Sequence, residues 1–313
     1  MSPLVVTVYY CAAVMAASLF GGSIPHWIRL THTRMQLALS FVAGVILGVG
    51  LLHLIPHGYI ALAQVSEETA IDRVVWWAMT GFLVMFFLER FFHFHHHEAP
   101  AEDSPHDVDV CVQDHYHAHD HTAHAAHVPA HDHDHPRPTF AWTGALIGMT
   151  FHGLMDGIAL AAAVQIDSEH SHAVALVGIG TFLAVFLHKP FDALTIGTLM
   201  AASGWSAKTR HIVNAAYALM TPLGMGLFFL GVHQLSHSQN DVLGCILAFA
   251  GGAFLCIATS DLLPELQFHA HDRFKLSFAL LLGVALAWGI VFIENGGHDH
   301  HHHSVEHEAT YDE

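Results

Sequence analysis

Eight stretches of this chain are almost free of Asp, Glu, Lys and Arg over roughly 20 residues or more, the length a helix needs to cross a hydrocarbon layer about 30 Å thick. They run near residues 4–24, 35–57, 72–92, 140–166, 172–203, 211–235, 242–263 and 274–294. A backbone in lipid must satisfy its own hydrogen bonds, so these stretches predict an all-α integral membrane protein with eight transmembrane helices. A composition of 53% hydrophobic and 12% charged residues agrees. The first stretch has no basic segment before it and no convincing cleavage site, so it reads as a retained helix and not as a removable signal.

The basic residues orient the chain. Arg29 and Arg34 follow the first helix, Arg90 and Arg137 bracket the segment after the third, Lys208 and Arg210 follow the fifth, and Arg273 and Lys275 follow the seventh. These connections share one side of an eight-span bundle and carry eight of the ten Lys and Arg residues. That side is expected to be cytoplasmic, which puts both termini outside the cytoplasm, in a cell membrane (plasma or inner). The chain then divides into residues 1–92 (helices 1 to 3), a cytoplasmic loop 93–138, residues 139–295 (helices 4 to 8) and a tail 296–313.

The loop and the tail hold most of the histidine. The texture of the loop, QDHYHAHDHTAHAAHVPAHDHDHP, has almost nothing apolar to bury and is predicted to be disordered without a ligand. Neutral imidazoles among carboxylates suit a weak trap for zinc-like ions, although a solvated linker has the same composition. Cys11, Cys111, Cys245 and Cys256 show no paired spacing, so neither a disulfide framework nor a thiolate zinc site is expected. A net charge of -17 argues against nucleic acid and leaves cations as the natural partner.

Two polar pairs interrupt the apolar runs. FHGLMDG places His152 and Asp156 four apart in the fourth run, and LHKPFDA places His188 and Asp192 four apart in the fifth. A spacing of four puts each pair on one helix face. His152 lies about 18 Å into the layer at 1.5 Å per residue, near its middle. An isolated carboxylate there costs at least a few kcal/mol. Two imidazoles and two carboxylates at similar depth are ligands that suit Zn²⁺ or a related divalent ion, and one metal satisfies all four. Two His–Asp pairs that merely join helices are the plainer alternative. Pro190, between His188 and Asp192, removes a backbone donor and can open the helix.

A subtler repeat pairs helix 2 with helix 7. LLHLIPH and TSDLLPE align with a constant offset of 208 residues, matching His53 with Asp261, Pro56 with Pro264 and His57 with Glu265. The two helices run in opposite directions, and inverted repeats are a mark of secondary transporters. His53 and His57 then stand toward the outer mouth of a pathway, and Asp261 and Glu265 toward the inner one. Helix-end chemistry, with Pro closing a span, is the alternative for these four.

With these motifs in order, the chain resembles the ZIP (Zrt/Irt-like protein) family of divalent metal transporters over essentially its whole length. The resemblance implies zinc uptake toward the cytoplasm, sometimes of Fe²⁺ or Mn²⁺, with the metal as transported substrate and no enzymatic reaction. It also implies helices 1–3 and 6–8 as inverted repeats around helices 4 and 5, homodimers in many members, and alternating access for which an elevator-like motion has been proposed. The departures are informative. Many members carry Asn after the first helix-4 ligand and a polar or acidic residue after the first helix-5 ligand, which build a second metal position; here Gly153 and Lys189 stand there. One metal is therefore expected, with the Lys189 ammonium where a second cation would sit, paired to Asp156 or Asp192. A cation-diffusion exporter usually has six spans and a soluble C-terminal domain. An intramembrane metal hydrolase needs an open metal position for water. A metal sensor without flux is the weakest rival.

Overall fold

The computed structural model describes residues 3–22, 32–92, 141–170, 177–234, 239–268 and 273–295; the histidine-rich loop and tail lie outside them. All regular structure among the described residues is helical. The elements are α1 (Pro3–Gly21), α2 (His32–Val49, a π-helical turn Gly50–Leu54, then Ile55–Ala63), α3 (Glu67–Phe92) and α4 (Ala141–His170), followed by α5 (Ile179–Ala202), α6 (Ala207–Ala218 and Met220–Gln234), α7 (Gln239–Phe268) and α8 (Arg273–Asn295). Seven of the eight are long and apolar enough to span a bilayer, and α1 is a shorter apolar helix.

Two expected boundaries move. Helix 2 does not stop at HLIPH but runs to Ala63. Pro56 follows directly on the π turn, within one continuous helical run. Helix 5 starts at Ile179, not near residue 172, because Gly178 takes a left-handed conformation (φ 69°). The Asp167 carboxylate accepts the Gly178 N–H at 2.7 Å and fixes that start. Pro190 leaves α5 unbroken.

The helices alternate in direction. Residues 153 and 157 of α4 meet residues 220 and 221 of α6 in parallel order, and Gly44 and Gly48 of α2 likewise meet Leu280 and Val284 of α8. Asp156 opposite His188 and Asp167 opposite Gly178 make α4 and α5 antiparallel. One end of the molecule, here the terminal face, therefore carries the start of α1 and the end of α8 with the helix ends that flank the α2–α3, α4–α5 and α6–α7 connections. The opposite end, the loop face, carries the rest.

Packing sorts the helices into two groups. The closest pairings are α2 with α8, α3 with α7 and α2 with α7, which join α2, α3, α7 and α8. The others are α4 with α6 and α1 with α5, completed by α4 with α5, so that α1, α4, α5 and α6 form a second bundle. Within the first group a symmetric seam appears. A side chain at Gly44 or Gly252 would strike the carbonyl of Leu280 or Ala78, and one at Gly283 or Gly81 would strike that of Phe41 or Phe249. Gly44 and Gly252, like Phe41 and Phe249, stand 208 residues apart, the offset of the HLIPH and DLLPE repeat. Ala78 and Leu280, like Gly81 and Gly283, stand 202 apart. The contact of α2 with α8 is thus repeated, residue for residue, by α7 with α3. Small residues at such crossings let backbones approach where lipid offers no hydrophobic drive to association.

Candidate metal centre

The antiparallel contact of α4 with α5 brings the two four-residue pairs together. One ligand atom from each of His152, Asp156, His188 and Asp192 lies within 4.8 Å of all the others. His188 Nε2 is 3.2 Å from Asp156 Oδ2, and His152 Nε2 is 3.5 Å from the carboxylates of both Asp156 and Asp192. Zn–N and Zn–O bonds of about 2.0–2.2 Å imply tetrahedral edges of about 3.4 Å, so these separations fit one ion without rearranging helices. The second ring nitrogen of His188 is 2.7 Å from the Ala184 carbonyl. Such an outer partner fixes the ring and leaves Nε2 to face the ligand. Asp156 Oδ1 is buried with no hydrogen-bond donor among the described residues, the condition a bound cation relieves. A narrow cavity between α3, α4 and α7, lined by Met85, Phe254 and Ile257 among others, reaches His152 and Asp156.

Lys189 completes the centre. Its side chain is fully buried; its ammonium donates to Asp156 Oδ2 at 2.6 Å and lies 3.5 Å from Asp192 Oδ2. The space it occupies is the one Gly153 leaves: a Cβ at residue 153 would stand 3.3 Å from the Lys189 nitrogen and 3.2 Å from Met220. With neutral imidazoles, two carboxylates and one ammonium leave a net charge of −1. One divalent ion reverses that sign, and a second would bring two further uncompensated charges into low dielectric.

Three polar residues were not singled out from sequence. Tyr217 of α6 donates its hydroxyl to Asp192 Oδ2 at 2.7 Å and holds the Lys189 nitrogen 5.0 Å from its ring centroid, a cation–π distance. Glu89 of α3 accepts from Ser260 at 3.2 Å and lies 3.9 Å from the Cys256 sulfur of α7, nearer the loop face. Asp167, near the end of α4, lies against His53 and His57. Each partner sits on another helix, so no spacing along the chain marks it.

Of the four expected pathway residues, His53 and His57 come together: their ring centroids are 4.2 Å apart. His57 Nδ1 is 3.1 Å and His53 Nε2 3.8 Å from the Asp167 carboxylate. The side chains of Asp261 and Glu265, at the loop-face end of α7, lie outside the described residues.

A polytopic helical membrane protein with His and Asp side chains that could hold a metal ion gathered between two of its spans is the class that this fold and site define. Residues 4–291 match the family model described as ZIP Zinc transporter. The chain belongs to the ZIP zinc transporter family, and not to a cation-diffusion or metal-hydrolase family. It is 31% identical over 140 residues to Protein zntC of Dictyostelium discoideum, covering 44% of this chain and 32% of that protein. Zinc transporter ZIP9 of Micropogonias undulatus is 30% identical over 130 residues, with 41% and 40% covered. Zinc transporter ZIP6 of Homo sapiens is 27% identical over 162 residues, with 50% and 20% covered. The matched part thus spans between a fifth and two fifths of these relatives' own length.

Proposed function

We propose that the chain carries divalent metal, Zn²⁺ first, across a cell membrane toward the cytoplasm by alternating access, through one ion site made by His152, Asp156, His188 and Asp192. The observation that carries this reading is the convergence of two imidazoles and two carboxylates, side chains that could hold a metal ion, from two antiparallel apolar helices, with one buried carboxylate oxygen still lacking a donor among the described residues. Among the described residues, Arg34, Arg90, Lys208, Arg210, Arg273 and Lys275 stand at helix ends on the loop face, which supports a cytoplasmic loop face and termini on the opposite side. His53 and His57 then stand on the outer side of the route. Glu89, followed by Asp261 and Glu265 in the sequence of α7, gives the inner side its carboxylates. Fe²⁺ and Mn²⁺ are the further candidate substrates of the same route.

All four central ligands ride on α4 and α5, within one bundle, so that bundle can shift against α2, α3, α7 and α8 with the ion's coordination intact. Lys189 holds Asp156 when no metal is bound and yields it on loading, which keeps affinity moderate enough for release. Neutral imidazoles are required, so acidification on the outer side lowers loading. A homodimer is part of the reading through the family resemblance, and cross-linking in membranes tests it.

Uptake by vesicles holding the full-length chain tests the central site. His152→Ala or Asp192→Ala is expected to reduce saturable zinc uptake by more than the roughly 10–100-fold typical of outer-shell partners. Full saturable uptake in either variant sinks the assignment.

A further inference from the structure

The terminal-face cluster differs from the central one in a way that gives it a separate role. His53 and His57 lie one turn apart on α2, His53 within the π turn Gly50–Leu54, a local geometry often found where a helix does something besides span. Asp167 belongs to α4, and its Oδ2 also holds the Gly178 N–H that begins α5. The three ligating residues therefore come from both bundles. Nearby, the Tyr10 hydroxyl of α1 donates to the Val177 carbonyl at 3.0 Å, so the same short connection is tied to α1 as well.

The distances leave room for a shared ion among the three residues. At 3.8 Å, His53 Nε2 is too far from Asp167 Oδ2 for a hydrogen bond, whereas His57 approaches the other oxygen at 3.1 Å. These values straddle the tetrahedral edge of about 3.4 Å that zinc imposes. One ligand atom from each of the three residues lies within 4.8 Å of the others. Two imidazoles and one carboxylate are borderline-soft donors suited to Zn²⁺ and its neighbours, and three protein ligands leave a fourth position for water, so the ion can exchange. His53 is 1% and His57 24% exposed, which leaves one flank of the cluster accessible.

We infer that His53, His57 and Asp167 form a second divalent-cation site whose occupancy latches the two bundles together at the terminal face. The binding claim stands on this geometry alone; the latch rests on the bundle motion proposed above. When the bundles shift, Asp167 leaves the α2 imidazoles and the site dissolves. High metal on the terminal side then holds the protein in the arrangement described here, and transport slows as external metal rises.

The test follows backbone hydrogen exchange by mass spectrometry in the full-length protein in lipid nanodiscs, comparing Zn²⁺ with a chelator. This readout is local, so histidines elsewhere in the chain do not confound it. Zinc at about ten times its Kd is expected to slow exchange across residues 177–182 roughly tenfold. Asp167→Asn keeps an acceptor for Gly178 but removes the charged ligand; it is expected to lose that protection, as is His53→Ala combined with His57→Ala. The protection is expected to persist in His152→Ala combined with His188→Ala, whatever that pair does to uptake. Protection that survives Asp167→Asn and the His53/His57 double variant, or that vanishes only in the central double variant, overturns the site. In uptake assays, initial rates in wild type are expected to fall at high external zinc and to stay level in Asp167→Asn. An equal fall in both, or no fall in wild type, overturns the latch.

Discussion

The central and terminal-face clusters are made of the same parts, imidazole and aspartate, yet they differ in whose helices supply them. Every residue of the central cluster comes from α4 and α5, which pack in one bundle. The terminal-face cluster joins two residues of α2 to one of α4. A site held within one rigid group keeps its shape when groups slide; a site divided between groups exists in only one arrangement. The first suits cargo, and the second suits control.

The sharpest way to break this contrast is to lock helices together. A thiol-reactive bridge between His57→Cys and Asp167→Cys spans the bundles and is expected to stop zinc uptake until reductant releases it. A bridge from native Cys11 to Met225→Cys, whose native sulfurs lie 3.1 Å apart, stays within the α1, α4, α5 and α6 bundle and is expected to leave uptake near the unbridged rate. If both bridges stop transport, or neither does, the two-bundle account fails; vesicle uptake before and after reduction reads the answer.

Next in size is Lys189. Removing one partner of a buried pair typically costs about 3–5 kcal/mol, because the other charge is left uncompensated. Lys189→Ala is expected to lower thermal stability in chelator and to recover more of it with zinc than wild type does, as the ion takes over the charge. Equal metal affinity and equal pH dependence in the variant and wild type would end the idea that ammonium and ion compete for Asp156. The smallest effect is expected from Tyr217→Phe, which removes one hydrogen bond to Asp192: stability falls by about 1.5–3 kcal/mol and uptake stays within roughly tenfold of wild type.

How legible this was follows from where each partner lies. His152 with Asp156, and His188 with Asp192, announce themselves because a four-residue spacing recurs in neighbouring apolar runs. The helices are equally plain, since lipid forbids most other readings of such stretches. Asp167 in QIDSEH and Glu89 in FLERFF look like span ends, and Tyr217 in AAYALM looks like one more aromatic; each finds its partner only across the bundle, at His57, Ser260 and Asp192. The delayed start of α5 was hidden for a related reason. Nothing short of the Asp167–Gly178 bond says where the left-handed glycine falls. The 208-residue offset was visible through HLIPH and DLLPE, whereas its 202-residue companion in α3 and α8 emerges only from the packing.

That pair of offsets says something about the halves themselves. Because α2 meets α8 through the same residues by which α7 meets α3, the surface is self-complementary: the first three helices present to the last three what they receive in return. A unit of three such helices, synthesised alone, would expose a glycine-lined trough and the ridge that fills it. It would find its natural mate in an inverted copy of itself, as isologous dimers do. The covalent chain between the halves thus fixes stoichiometry more than shape, and a protein severed within the loop between α3 and α4 is expected to reassemble from its two pieces.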